Sequence, residues 1–159
     1  METAVNGVKS VLGAIPILAM AYSINSITKG LGTADFIISL TESFMTPALL
    51  VTVTFLTCAF ISFLTGSSWG TFAIMTPIAI PLAFTITGGE IDTVLLCTVG
   101  AILGGGTFGD HCSPMSDTTI LSSLAAGSDH MDHNATQIPY SVLCAGIACV
   151  ITLVMGFMM

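Results

Sequence analysis

The sequence predicts an all-α integral membrane protein of about five transmembrane segments, two of them discontinuous helices. Three observations lead there. Apolar residues make up 53% of the chain and charged residues only 7%, whereas a soluble domain carries roughly 25% charged residues. Residues 10–28, 43–89 and 134–159 contain no formal charge, and a bilayer core needs only about 20 helical residues to be crossed. Glycines and hydroxyls then interrupt the oily pattern twice, at residues 65–71 and 104–119. The 159 residues read as a single transmembrane domain.

The first span is expected over residues 11–28, with small residues interspersed and one Pro16 that membrane helices tolerate. It reads as a span rather than as a signal peptide, because the apolar run continues to Ile27, longer than the roughly 7–15-residue apolar core of a secretory signal. Lys29 and Gly30-Leu31-Gly32 end it, and residues 35–42 form an amphipathic or interfacial segment. Pro47 suits a first helical turn, so a second span is placed over residues 48–64. The polar break at 65–71 precedes a resumed apolar run over 72–86, and Gly88-Gly89-Glu90 is a turn. A third run, 91–103, is expected to stop at Gly104-Gly105-Gly106, where helical order is costly and close backbone approach is easy. Ser113 followed by Pro114 reads as an N-cap and first-turn proline opening a new helix. Residues 127–134 read as a polar connection, and Pro139 starts the last span, 140–159, with Tyr140 as an interfacial aromatic. Lys9 and Lys29 are the sole basic residues and flank one span, so loop charge does not orient the chain.

The formal charge of −7 comes from acids scattered singly rather than from an acidic tail. Asp110 and Asp117 lie in the second polar interruption, and an intramembrane carboxylate costs about 2.5–3.5 kcal/mol on insertion scales, so it is kept for a partner or a function. As caps in a solvated loop they would be merely structural, Asp117 favouring a helix N-terminus through the dipole. Ser113, Ser116, Thr118 and Thr119 add hydroxyl oxygens, and hard cations prefer oxygen ligands. A carboxylate in such a setting holds either a proton or a cation, because burial favours the first and a nearby cation the second. Sodium at Asp110 and Asp117, with those hydroxyls as auxiliary ligands, is the expected site. Thr65, Ser67, Ser68, Trp69 and His111 would line the cavity, between two helix breaks of the kind that transporters use. Close packing of small residues is the alternative reading of the first break.

Gly66-Ser67-Ser68-Trp69-Gly70 also matches G-x-S-x-G, with Asp110 and His111 available for a triad, but nothing here reads as the strand-to-helix elbow that motif requires. An intramembrane serine hydrolase using Ser68 is the enzyme alternative. His130 and His133 within Asp129-His130-Met131-Asp132-His133 are loop residues or pH sensors, since histidine titrates near physiological pH. The five cysteines show no C-x-x-C pair, which removes disulfide-framework and zinc-finger spacings.

The run from Phe108 to Ser123, Phe-Gly-Asp-His-Cys-Ser-Pro-Met-Ser-Asp-Thr-Thr-Ile-Leu-Ser-Ser, with the Asp129–His133 segment and Thr136-Gln137-Ile138-Pro139-Tyr140, resembles the NhaC-type sodium/proton antiporter family. The first polar break resembles that family's other one. The resemblance implies a carrier of the bacterial inner membrane that needs no cofactor and moves sodium and protons, with malate/lactate exchange in some members. It also implies two related halves, one repeat of an inverted pair each, and this chain looks like the C-terminal half. The expected partners are the bilayer and an N-terminal half or second copy, and not nucleic acid.

Overall fold

The computed structural model describes residues 45–158 continuously, together with scattered positions between Ala19 and Ser39. The expected span over 11–28 and the segment 35–42 otherwise lie outside the described residues. Those described are helical, without a strand.

Helix α1, Pro47–Thr65, starts as its sequence indicates: Pro47 occupies the first turn, and the Thr46 hydroxyl accepts from the Leu49 N–H at 3.3 Å. Gly66 ends it with φ 65°, a left-handed conformation that costs glycine nothing. Its N–H donates to the Ser62 carbonyl at 2.8 Å. Only Ser67 separates this cap from α2, Ser68–Ile86, and the Ser67 hydroxyl caps α2 by accepting from the Gly70 N–H. The break expected over seven residues is thus a two-residue turn between antiparallel neighbours. Pro77 and Pro81 sit inside α2 without ending it.

Helix α3, Thr93–Cys112, is capped by Asp92, whose carboxylate accepts from the Thr93 N–H at 2.6 Å. It runs straight through Gly104-Gly105-Gly106, contrary to the expected stop. Out of water the backbone keeps its hydrogen bonds, which outweighs glycine's low helix propensity. The glycines serve packing instead. A β-carbon at Gly105 would overlap the Phe55 carbonyl of α1, one at Gly109 the Ala59 carbonyl, and one at Gly106 the Phe72 ring of α2. Gly105 and Gly109, four apart, therefore seat α3 against α1 as small residues do in membrane helix pairs. A hydrogen bond of 2.5 Å from the Ser62 hydroxyl to the Gly106 carbonyl crosses the same contact.

Helix α4, Asp117–Ala126, begins three residues later than expected. Its N-cap is Ser116, and Ser113 instead closes the end of α3, donating its N–H to the Asp110 carbonyl at 3.2 Å. After Gly127 (φ 64°), helix α5, His130–Met158, starts one turn after α4 ends, and Pro139 lies within it. The Asp129 carboxylate accepts from the N–H groups of Met131 and Asp132, so an acidic cap places the start and the connection shrinks to three residues.

The core lies where α1, α2 and α3 meet, around Leu50, Leu82 and Val94 at one end and Cys58, Met75 and Ile102 further along. Helix α5 packs Ala145 and Ala148 against Val51, Phe55 and Ala101 but leaves Leu143, Ile147, Val150 and Phe157 exposed. Helices α1, α2, α3 and α5 are each long and apolar enough to cross a membrane, and their exposed apolar side chains suit lipid rather than water. This is a multi-pass membrane protein.

Candidate ion site at the α3–α4 break

Asp110 sits in the last turn of α3 with 6% of its surface exposed. Three hydroxyls converge on it from two directions. Across the break, the Ser116 hydroxyl donates to Oδ1 at 2.7 Å, and Thr118 approaches Oδ2 at 3.4 Å. From α2, Ser68 approaches Oδ2, also at 3.4 Å. Ser116 also lies 2.7 Å from the Thr118 hydroxyl and caps α4 by accepting the Thr118 N–H at 3.2 Å.

Such a network serves both protonation states. An ionised carboxylate only accepts, so Ser116 gives its single proton to Asp110 and takes that of Thr118. A protonated Asp110 donates to Ser116, whose own proton then turns to Thr118. The Oδ2 side, bordered by half-buried Ser68 and exposed Thr118, is the side on which an ion can arrive.

The two polar interruptions touch. A β-carbon on Gly66 would stand 2.8 Å from the backbone carbon of Met115 and 3.0 Å from the Ser116 nitrogen, so glycine there lets the α1–α2 turn lie directly on the α3–α4 break. That contact brings Ser68 to Asp110. His130 braces the break from the other side, with Nε2 2.7 Å from the Pro114 carbonyl and Nδ1 3.2 Å from the Ser123 hydroxyl. A carbonyl only accepts, so Nε2 carries a proton.

The remaining candidates lie elsewhere. Asp117 is exposed at the first position of α4. Ser113 is fully buried and its hydroxyl accepts from the Met115 N–H, shaping the turn. Thr119 is buried with its hydroxyl unpartnered. Thr65 is exposed and bonds back to the Ile61 carbonyl of its own helix. Trp69 is exposed, edge-on to Phe72. His111 is exposed and lines an open groove of about 570 Å³ beside Tyr140 and Ser141 of α5. Ser68 therefore meets Asp110 directly, whereas a hydrolase triad places an imidazole between serine and acid. Among the described residues no group of three His, Cys, Asp or Glu side chains is placed to hold a metal, so a cation at Asp110 would rely on hydroxyl and carbonyl oxygens. Sequence reasoning missed Ser62 and the brace role of His130. A lone serine in an apolar run, four residues before Gly66, was the only signal for the first.

Fold and site define a helical membrane protein with a buried, hydroxyl-ringed carboxylate at the turn between two helices. The chain belongs to the Na+/H+ antiporter family, whose sequence profile matches residues 1–157. It is 41% identical over 95% of its length to an uncharacterized protein of Haemophilus influenzae, and covers 28% of that protein. It is 32% identical to the arginine/ornithine antiporter ArcD of Halobacterium salinarum, over 96% of this chain and 30% of the relative. It is 29% identical to the malate-2H(+)/Na(+)-lactate antiporter of Bacillus subtilis, over 97% of this chain and 32% of the relative. The chain thus spans under a third of the length of these relatives. No solved structure is significantly similar to it.

Proposed function

We propose that this chain is one repeat of a secondary carrier that exchanges sodium for protons across the inner membrane of a bacterium, with Asp110 holding each ion in turn. The observation that carries the reading is the burial of Asp110 among hydroxyls that can reverse their donor direction. Ser68, Ser116 and Thr118 supply neutral oxygens beside the carboxylate, as a hard cation requires. Asp117, on the exposed start of α4, is the second carboxylate of the proposed site, with Ser113 as an auxiliary position; Thr119, whose hydroxyl bonds to none of these residues, is not part of it. Helices α3 and α4 act as one discontinuous helix facing the α1–α2 turn. His130 and His133 are the candidates through which pH acts on the break.

Alternating access moves one repeat against another, and the relatives are more than three times as long as this chain. The working unit in this reading includes an N-terminal half or a second copy, packed on the exposed apolar face of α5. Sodium-coupled exchange of organic acids is the second reading, favoured by the similarity to the malate-2H(+)/Na(+)-lactate antiporter.

The test is sodium-driven proton movement in vesicles containing the complete carrier. Asp110→Asn is expected to abolish it at normal protein levels, and Asp117→Asn is the parallel test of the second carboxylate. Undiminished flux in Asp110→Asn would exclude Asp110 from ion exchange. Proton movement that requires added malate or lactate would favour the second reading.

A further inference from the structure

Five buried side-chain polar atoms have no protein hydrogen-bond partner among the described residues, and four belong to the α4–α5 pair: Thr119 Oγ1, His133 Nε2, Asn134 Oδ1 and Gln137 Oε1. Thr119 and Asn134 are only 2% and 4% exposed. On α5 the positions 130, 133, 134 and 137 fall within a single arc of about 100° at 3.6 residues per turn. That arc faces α4, because His130 reaches Ser123 from it. On α4, Thr119 lies one turn before Ser123 on the same face. The Ser123–His130 contact therefore turns both polar faces toward each other, and these four atoms make no hydrogen bond across the seam.

The chemistry of these atoms selects the ligand. Three are oxygens that accept, from two amides and a hydroxyl, and a buried acceptor without a donor is costly. No Lys or Arg occurs after Lys29, so no ammonium or guanidinium group between residues 30 and 159 can donate to them. We propose that Thr119 Oγ1, Asn134 Oδ1 and Gln137 Oε1 form a second site, for a small monovalent cation, in the seam between α4 and α5. Neutral oxygens suit a hard monocation such as sodium, and they equally suit the ammonium head of an organic solute. This site is distinct from Asp110, whose partners are Ser68, Ser116 and Thr118, and it stands independently of the function proposed for that carboxylate.

The test is the thermal unfolding midpoint of the protein in lipid nanodiscs at pH 8, titrated with sodium chloride or methylammonium chloride against choline chloride at equal ionic strength. A bound cation raises the midpoint saturably. The Asp110→Asn protein is expected to keep a saturable response. In that background Thr119→Val and Asn134→Leu should each raise the half-saturating concentration by about tenfold or more, while Thr119→Ser, which restores the oxygen, should recover it. Gln137→Leu, at a half-buried position, gives the same reading if Asn134→Leu fails to fold. A response to sodium alone makes this a metal-ion site, and a response to methylammonium alone makes it a subsite for an organic ammonium. Loss of every response in Asp110→Asn overturns the second site and leaves the reading of Asp110 intact. A response that persists unchanged in Asp110→Asn/Thr119→Val overturns it as well.

Discussion

Removing the Ser116 hydroxyl should unfasten the break itself. That single oxygen caps α4 through the Thr118 N–H and donates to Asp110 Oδ1 at 2.7 Å, in a fully buried position. Loss of an N-cap costs about 1 kcal/mol, and loss of a hydrogen bond to a charged group about 1.5–3 kcal/mol. Ser116→Ala is therefore expected to lower stability by about 2–4 kcal/mol. Ser122→Ala is the control: Ser122 is exposed and bonds only to the Thr118 carbonyl of its own helix, so its change should stay within about 0.5 kcal/mol. Equilibrium unfolding in mixed micelles, followed by circular dichroism, measures both. A double-mutant cycle with Asp110→Asn then isolates the shared term, because residues in direct contact do not behave additively. If Ser116→Ala is no less stable than Ser122→Ala, or the cycle shows no coupling, the break is not held by this hydroxyl and the argument fails.

The helix crossing and the brace give two further expectations. Gly109→Ala should destabilise by about 1–3 kcal/mol through overpacking, since the added carbon meets the backbone of α1 rather than a flexible side chain; Gly100→Ala, into open space, should be neutral or stabilising in the same unfolding assay. Equal effects at the two positions would contradict the close α1–α3 contact. His130→Phe removes the bond to the Pro114 carbonyl, so amide exchange at Ser113, Met115 and Ser116 should accelerate relative to wild type, and unchanged protection there would count against the brace.

Much of the architecture was legible along the chain. Thr46-Pro47, Gly66-Ser67 and Asp92 place three helix boundaries by local capping chemistry that acts over one turn. The expected stop at Gly104–Gly106 weighs glycine's helix propensity as it acts in water, whereas a membrane helix keeps its backbone bonds. Ser113-Pro114 carries the pattern of an N-cap and first-turn proline, but Ser113 closes α3 and Ser116 caps α4. The polarity of residues 127–134 likewise suggests a connection, although Asp129 caps a helix that begins at His130.

The sequence by itself determined the membrane class, the two polar interruptions and the family pattern, because hydropathy, glycine content and charge spacing are local quantities. Which aspartate is buried was decided only by tertiary structure. Asp110 and Asp117 look alike in one polar run, but Gly66 lets the α1–α2 turn rest on the break and carries Ser68 to Asp110, 42 residues away. Asp117 sits on the outer start of α4. Contacts across such separations depend on how helices cross, and the crossing here depends on missing side chains at Gly105 and Gly109.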